Sequence, residues 1–472
     1  MAIIASILTI ITIASCLMMF LIRREQKVAL LVMGTMTLTL VSVPVIPLHK
    51  ANLLLPMFFL LSEWKSLILH IKKIWSTPYL RTALAIVLLS TIVCAFTTTY
   101  TKPWSIIQGE LIFKYFALAY AFMAVKDERS LKPVLKISIY CLIALTLFGI
   151  LNYIDRSAEL VNELTKGKTN WVYNVEWGDY YSERARFRVQ SMFKSPFDYG
   201  YICAAVLMLH IHAWYKQMES KNEFILAVAC CAFGIITCGC RIVWVGALFS
   251  VICYYMWSFR LGRNMVMGIV GVVVIVLSYN FIPAVEKKVN SVTDIFVENS
   301  ETGGSSIAMR TMQFVMTLKY VEGHEFLGRG KGYFTTEIWN ADVDQRTREA
   351  SGLEGMESVI MGYILERGYF GLTLWITFYL IIFLYFHRHK QKNNKLITGL
   401  GVSILSLYLV FAIGTGELGS VYPTMLLLGI TMKMIESKKR RLMLYAVLRR
   451  LMKRKKLTRR QQLIVILKAI SR

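Results

Sequence analysis

The sequence predicts an all-α fold: a polytopic integral membrane helix bundle of about 12–13 transmembrane helices with a large, mostly helical extracytoplasmic loop. Three observations predict it. Hydrophobic residues make up 56% of the 472 residues and charged residues only 18%, whereas soluble domains carry about 25% charged residues. Apolar runs of about 20 residues recur, which is the length that crosses a bilayer. Lys and Arg residues are concentrated in alternate connecting segments, as expected when successive loops lie on opposite sides of a membrane. Together these exclude a disordered chain, a nucleic-acid-binding domain and an ordinary soluble enzyme.

Thirteen apolar runs are long enough to be predicted as spans. They cover residues 2–22, 28–47, 51–70, 80–98, 104–125, 134–154, 197–214, 223–240, 241–259, 264–283, 357–386, 396–413 and 418–435. The first run lacks a basic start and a small-residue cleavage site, and Arg23 and Arg24 follow it. It is therefore expected to be a retained helix with its N-terminus outside, rather than a signal peptide.

The spans divide the chain into four parts. Residues 1–283 hold transmembrane helices 1–10 and an extracytoplasmic loop at 155–196, and residues 284–356 form the large extracytoplasmic loop domain. Residues 357–436 hold helices 11–13, and residues 437–472 form a basic amphipathic cytoplasmic tail. The large loop has eleven carboxylates against eight Lys and Arg, whereas the tail has fourteen Lys and Arg and no acid. The positive-inside rule therefore places the tail in the cytoplasm and the large loop outside.

The nine cysteines all lie in or beside apolar runs, so they are predicted to be buried small hydrophobic residues. No disulfide framework and no metal site are predicted, since no histidines stand at ligand spacing beside them.

Charges inside apolar runs need a partner or a function, because a charge at a helix centre costs about 2.5–3.5 kcal/mol on insertion scales. Glu110 and Lys114 are four residues apart on one helix face, where they can pair with each other. Glu417 lies among glycines at the outer end of the last helix pair. For Glu417 two interpretations stay open, a pocket wall or a simple turn.

Arginines cluster near the predicted outer face. Arg184, Arg186 and Arg188 end the first long loop, Arg241 begins a helix, and Arg310 lies in the large loop. A guanidinium is planar and permanently charged, and it matches phosphate oxygens with two hydrogen bonds. The arginines suggest a site for a phosphorylated lipid presented at the outer leaflet. Each one by itself is also compatible with a salt bridge or an interfacial anchor.

Four stretches together resemble the O-antigen polymerase/ligase family of bacterial envelope glycosyltransferases. Residues 188–197 resemble its Arg-x-x-Gly-x-Phe-x-Asn-Pro-Asn helix entry, with serine in place of the glycine and of the first asparagine. Residues 240–244 are similar to its Ser-Arg helix start, and residues 310–334 to the Arg…His-Pro-Leu-Leu-Gly-x-Gly-x-Gly-x-Phe stretch of the large loop. Residues 357–371 are similar to its His-Asn-x-x-Leu…Glu-x-Gly-x-x-Gly motif. The resemblance covers about residues 185–390.

The resemblance implies transfer of a glycan from a polyprenyl diphosphate to a hydroxyl, with no metal and no cofactor. Arg188, Arg241 and Arg310, with Arg186 beside them, are the candidates that stabilise the leaving diphosphate, and Arg241 is assigned to the catalytic group. Glu357 is the candidate general base. An alternative for Glu357 is a carboxylate favoured by the dipole at a helix N-terminus. Ligase-type members carry histidine at this position, so glutamate here favours a polymerase over a ligase.

The implied partners are a polyprenyl-diphosphate-linked glycan, anionic membrane lipids bound through the tail, and a possible chain-length regulator or flippase. No nucleic-acid partner is expected. The implied location is the bacterial inner membrane, with the large loop periplasmic and the C-terminus cytoplasmic. Three alternatives remain open: an O-antigen ligase acting on a lipid A-core acceptor, a peptidoglycan-type polymerase, and a lipid-linked oligosaccharide flippase. The last predicts internal repeats and glycine- or proline-broken helices, which the sequence does not clearly show.

Overall fold

The structure is a computed structural model. It describes residues 3–37, 51–154, 188–193, 195–259, 307–338, 351–353, 356, 358–391, 394–416 and 419–455. Within these ranges the chain is helical and has no strand, which confirms the all-α prediction.

The helices of the described residues are numbered here in chain order. They are α1 (Ile3–Leu21), α2 (Arg24–Thr37), α3 (Ala51–Ser62), α4 (Leu67–Trp75), α5 (Pro78–Thr97), α6 (Pro103–Ala124), α7 (Leu131–Ile154), α8 (Pro196–Tyr215), α9 (Lys221–Thr237), α10 (Arg241–Ser258), α11 (Ile307–Val321), α12 (Val359–Arg388), α13 (Lys395–Gly414) and α14 (Val421–Lys455). Short 3₁₀ turns lie at Trp64–Ser66 and Glu128–Ser130. The described part of the chain also contains two π-helical segments, Gln108–Tyr115 inside α6 and Phe334–Ile338 after α11.

Six of these helices are long and apolar enough to cross a membrane. They are α5, α6, α7 with its preceding 3₁₀ turn, α10, α12 and α13. A bent pair, Leu54–Ser62 and Trp64–Trp75, turns by 67° and makes a seventh if it counts as one span. The predicted 12–13 spans exceed what the described residues supply by this test. One predicted span, 264–283, lies outside them.

Some predicted spans do not meet the length and hydropathy test for a membrane-crossing helix, and the reasons can be identified. The helix α9 has 17 residues, and α8 carries a carboxylate and two histidines, Asp198, His210 and His212. These polar groups are buried, so α8 lies within the bundle although its composition is less apolar than that of a lipid-facing helix.

Close helix packing builds the core. The contacting pairs include α10 with α13, α6 with α14, α8 with α9, and α5 with α12. Between α10 and α13 a Cβ on Gly246 would lie 3.1 Å from Leu407 Cδ1. Small residues at such crossings let the backbones approach closely, as is typical of helices packed in a membrane.

The loops rich in Lys and Arg meet at one end of the bundle. Lys126 Nζ lies 3.2 Å from Glu25 Oε1, and Lys216 Nζ lies 2.8 Å from Glu128 Oε1. The guanidinium of Arg24 donates to the carbonyl of Met123. The connections around Arg24, Lys126 and Lys216 are therefore neighbours in the structure.

The last helix differs from the expectation. The prediction separated a span ending at residue 435 from a tail beginning at Ser437, but α14 continues from Val421 to Lys455. No glycine or proline interrupts the sequence from Ile430 to Lys455, so nothing in it ends the helix. Residues 456–472 of the predicted tail lie outside the described residues.

Candidate functional site

Arg188 lies in the short connection that leads into α8. The backbone N–H of the next residue, Val189, donates to the carbonyl of Thr237 at 3.0 Å, which ties this connection to the end of α9. The Arg188 side chain packs on Gly239, where a Cβ would lie 3.1 Å from Arg188 Cγ. Its guanidinium carbon is 5.8 Å from the Phe197 ring centroid. Arg188 thus lies beside the turn that precedes Arg241.

The two serines that depart from the family pattern keep the local geometry. Ser191 adopts a positive φ of 49°, a conformation that glycine adopts most easily, and its hydroxyl donates to the Leu145 carbonyl at 2.6 Å. Ser195 is the N-cap of α8 and accepts from the Asp198 N–H at 3.3 Å. Serine and asparagine are about equally good N-caps. The turn and the helix start are therefore retained.

Gly414, at the end of α13, connects the other two arginines. Arg310 Nη2 on α11 donates to the Gly414 carbonyl at 3.1 Å. Ile242, the residue after Arg241, packs directly against the Cα of Gly414. The end of α9, the start of α10 and the end of α13 therefore lie together. Arg188 packs at the turn between the first two, Arg241 begins α10, and Arg310 binds the end of α13.

Four of the residues singled out in the sequence lie outside the described residues: Arg184, Arg186, Glu357 and Glu417. The chain next to Glu357 is described. Ser358 is the N-cap residue of α12, and the N–H of Val359 donates to the Thr415 carbonyl at 3.2 Å. The start of α12 is therefore adjacent to the Gly414 neighbourhood.

A second group of charges lies deeper in the same end of the bundle. Glu110, on the π-helical part of α6, pairs with Lys114 at 3.1 Å, which confirms the pairing predicted from their spacing. Glu110 Oε2 also lies 2.9 Å from Arg367 Nη2 on α12, and each of these two side chains is 4% exposed. The Arg367 guanidinium carbon is 4.5 Å from the Tyr363 ring centroid, and the Tyr363 hydroxyl is 3.0 Å from that of Tyr115.

Sequence reasoning missed Arg367 as the partner of Glu110. A signal was present, because Glu366 and Arg367 interrupt an apolar run and charges there need partners. The π-helical segment around Glu110 was not predicted, and such segments are frequent at functional sites.

The segment between α11 and the second π-helix, residues 322–333, packs against α12, and we call it the docking segment. In α12, Gly368 has a φ of 62° and a ψ of −169°, which interrupts the helix. The N–H groups of Arg329 and Gly330 donate to the carbonyls of Leu365 and Glu366 at 2.8 and 3.1 Å. These carbonyls would accept helix hydrogen bonds if the helix continued. The docking segment therefore replaces hydrogen bonds that the kink removes.

The replacement is reciprocal. The N–H groups of Tyr369 and Phe370 donate to the carbonyls of Glu325 and Phe326 at 2.8 and 3.1 Å. A Cβ on Gly328 would lie 2.5 Å from the backbone nitrogens of Arg367 and Gly368. Gly328 thus permits the close backbone approach that these hydrogen bonds require.

Side chains hold the other edge of the docking segment. The Glu366 carboxylate accepts from the Gly332 N–H at 3.0 Å and lies 2.9 Å from Lys331 Nζ. The hydroxyls of Thr98 and Thr101, in the turn between α5 and α6, donate to the Lys331 carbonyl at 2.7 and 3.0 Å. The docking segment consequently joins the α5–α6 turn to α12.

The fold therefore defines a multi-pass membrane protein, with several helices able to cross a membrane, a buried ion cluster and a polar segment docked at one end. A family model described as O-antigen ligase matches residues 226–376. The matched region runs from α9 into α12 and includes Arg241, Arg310 and Arg367. It supports an O-antigen ligase-family protein and confirms the family predicted from the four motifs. No curated protein matches the chain.

The family implies a membrane glycosyltransferase-like enzyme of the O-antigen ligase or polymerase type, and the family acts on lipid-linked glycans. Arg188 lies outside the matched residues, and its place in the site rests on the contacts described above.

Proposed function

We propose that the protein polymerises polyprenyl-diphosphate-linked oligosaccharide repeat units into a surface polysaccharide at the outer leaflet of the bacterial inner membrane. The observation that carries the proposal is the neighbourhood of Arg188, Arg241 and Arg310 around Gly414. Guanidinium groups at the membrane edge are suited to a diphosphate, because they donate two hydrogen bonds each and remain charged at any physiological pH.

In the proposed reaction the bond between the sugar C1 and the diphosphate oxygen breaks, and a bond from C1 to an acceptor hydroxyl oxygen forms. The diphosphate leaves on its polyprenyl chain with the bonding electrons. Arg241 is proposed to stabilise the charge that develops on the leaving oxygen, while Arg188, Arg310 and Arg186 bind the diphosphate. Preorganised donors of this kind are usually the largest single contribution to lowering a barrier.

Glu357 is proposed as the general base that accepts the proton of the acceptor hydroxyl. Two observations support it: the adjacent start of α12 contacts Thr415, and the Gly414 carbonyl is bound by Arg310. A carboxylate next to an apolar membrane edge is disfavoured as an anion, which raises its affinity for a proton. Glutamate at the family's histidine position also supports polymerase over ligase.

The proposal includes the surroundings of the site. We place the large loop, residues 284–356, in the periplasm and the C-terminus in the cytoplasm, and we assign residues 437–472 to anionic lipid. The four-part division of the chain into 1–283, 284–356, 357–436 and 437–472 is part of the proposal. So is a chain-length regulator or flippase as partner.

Deletion of the chain from its host tests the function. Lipid-linked and surface glycans are sized by gel electrophoresis and mass spectrometry. Single repeat units on the lipid carrier with the long ladder lost support a polymerase. Full-length glycan stranded on the polyprenyl carrier would instead identify a ligase, and repeat units trapped on the cytoplasmic side would identify a flippase. Complementation with the intact chain is the control.

A further inference from the structure

The short helix α4, Leu67–Trp75, has an exposed apolar face. It follows α3 after a bend of 67°, so it does not continue along the axis of α3. Ile68, Ile71 and Trp75 stand at three- and four-residue spacing, which places them on one side of the helix, and each is at least half exposed. Trp64, in the 3₁₀ turn before α4, is exposed as well. The part of the chain that the structure describes therefore leaves this face largely uncovered.

A second face of α4 is fixed to the bundle. His70 and Ile74 are buried, and α4 contacts α5 and the last part of α6. His70 Nε2 lies 2.9 Å from the Ser66 hydroxyl, and His70 Nδ1 lies 3.5 Å from Nη2 of Arg24. Arg24 in turn donates to the carbonyl of Met123 near the end of α6. The helix α4 is therefore held at the end of the bundle where these connections meet.

Lysines lie beside the exposed apolar face. Residues 64–75 contain Lys65, Lys72 and Lys73 and no carboxylate, and the side chains of Lys65 and Lys72 are exposed. The helix α1, which packs along α3, is different: its exposed side chains are also apolar, but its 19 residues include no charge. A long face without charge is typical of contact with hydrocarbon. Tryptophan together with lysine is typical of the boundary between membrane and water.

We propose that α4 is an interfacial helix, which lies in the head-group region of one leaflet and binds anionic phospholipid through Lys65 and Lys72. Ile68, Ile71 and Trp75 enter the boundary between head groups and acyl chains, while the ammonium groups pair with lipid phosphates. In the proposed topology this leaflet is the cytoplasmic one, whose surface is negatively charged. The bent pair of α3 and α4 is then not one membrane span, because the part after the bend lies along the surface.

Charge favours lipid over a second copy of the chain as the occupant of this face. In a symmetric dimer the same patch meets itself, so Lys65 and Lys72 of two copies would approach one another, and like charges at an interface are costly. Anionic head groups instead neutralise both lysines. The inference goes beyond the proposed function and does not depend on it.

The depth of α4 in the bilayer tests the proposal. The full chain with Ile71→Cys is labelled with bimane and reconstituted in vesicles of phosphatidylcholine and phosphatidylglycerol that contain a doxyl-labelled lipid. We expect a doxyl group near the head group to quench the fluorescence more than one near the end of the acyl chain. Ile13→Cys is the matched control and should show the reverse order. Both side chains are 50% exposed, but Ile13 lies eight residues before the end of α1, which is about 12 Å along the helix.

Two results of the depth measurement would overturn the proposal. Stronger quenching of Ile71→Cys by the deep doxyl group would make α4 part of a membrane span. Quenching by neither group would mean that protein or water covers the face. The native chain treated with bimane gives the background from its own cysteines, and melting temperatures verify folding. Ile68→Cys, on the same face, carries the test if Ile71→Cys does not fold.

The charge of the bound lipid is measured in the same vesicles. Quenching of Ile71→Cys by doxyl-labelled phosphatidylglycerol is compared with quenching by phosphatidylcholine that carries the same label. We expect the anionic lipid to quench more, and we expect Lys65→Gln and Lys72→Gln each to lower this preference about fivefold, the contribution of one lysine near an anionic surface. Lys102→Gln, an exposed lysine in the turn between α5 and α6, should leave the preference unchanged.

Equal quenching by the two lipids would overturn the assignment of anionic phospholipid, and so would a preference that both lysine substitutions leave intact. Neither measurement uses a glycan. Failure of the proposed polymerase function would therefore leave both results valid, and failure of the interfacial helix would leave the polymerase function standing.

Discussion

The guanidinium of Arg367 and the carboxylate of Glu110 lie 2.9 Å apart, and 4% of each side chain is exposed. The two residues are separated by more than half the chain, and one lies on α6 and the other on α12. A buried charge without a partner is costly in any apolar environment. Each charge therefore lowers the free-energy cost of burying the other, and the pair fixes how the two helices pack.

Removing one partner of this pair should destabilise the protein strongly. Glu110→Gln is expected to lower the free energy of unfolding by about 3–5 kcal/mol, because the buried Arg367 guanidinium loses this carboxylate. Arg367→Gln is expected to cost less, because Lys114 still pairs with Glu110. The double variant should lose less free energy of unfolding than the sum of the two single losses. Thermal unfolding in detergent measures all three losses. The control is Lys126→Gln at the exposed Lys126–Glu25 pair, where about 1 kcal/mol or less is expected. Additive losses in the double variant would contradict the coupling.

Replacement of Gly328 by alanine should release the docking segment. The added Cβ would lie 2.5 Å from the backbone nitrogens of Arg367 and Gly368, so the reciprocal backbone hydrogen bonds cannot form. Limited trypsin digestion should then cut faster after Arg329 and Lys331. Gly323→Ala is the control, because Gly323 also has a positive φ, 77°, but nothing lies within 4 Å of its Cβ position. Equal cleavage of the two variants would show that backbone strain alone is responsible.

Substitution of the arginines around Gly414 should reduce polymer synthesis without unfolding the protein. Arg241→Lys retains charge but removes the two-pronged geometry, and a loss of about 10²–10³-fold in turnover is expected, comparable to removing one donor from an oxyanion site. Arg310→Lys should also weaken the contact with the Gly414 carbonyl. Arg388→Lys, at the opposite end of α12 beside Tyr79, serves as control. Full activity of Arg241→Lys would remove Arg241 from the proposed mechanism.

Glu357→Gln should leave a folded protein with turnover reduced about 10²–10⁴-fold, the usual contribution of general base catalysis. Glu337→Gln is suitable for comparison, because Glu337 is an exposed carboxylate of the same predicted loop. Turnover is measured with a purified lipid-linked repeat unit, and the melting temperature checks the fold. A folded Glu357→Gln protein with wild-type turnover would refute the assignment of the base.

The orientation of the bundle can be read from cysteine labelling in intact cells. Of the nine native cysteines eight are buried, so background labelling by an impermeant maleimide should be low. His324→Cys in the docking segment and Lys221→Cys at the start of α9 are both at exposed positions. We expect His324→Cys to react in intact cells and Lys221→Cys only after permeabilisation. The opposite pattern would invert the proposed topology.

The helical class, the family and the pairing of Glu110 with Lys114 could be predicted from the sequence. Apolar run length, motif order and a four-residue spacing are local properties, and each is visible without knowing which helices are neighbours. The number of spans was less predictable. Helices such as α8 bury polar residues inside the bundle, so their composition does not distinguish a span from a core helix.

By itself the sequence determined that this chain is an all-α membrane protein with arginines in family motifs. Composition and periodicity are properties of consecutive residues, so they are visible without the structure. Only the tertiary structure decided that Arg310 bonds to Gly414, against which the residue after Arg241 packs, and that Arg367 pairs with Glu110. It also decided that the docking segment replaces hydrogen bonds lost at Gly368. These relationships join residues tens to hundreds of positions apart. Such contacts form only when helix packing removes the groups from solvent, and no local pattern encodes them.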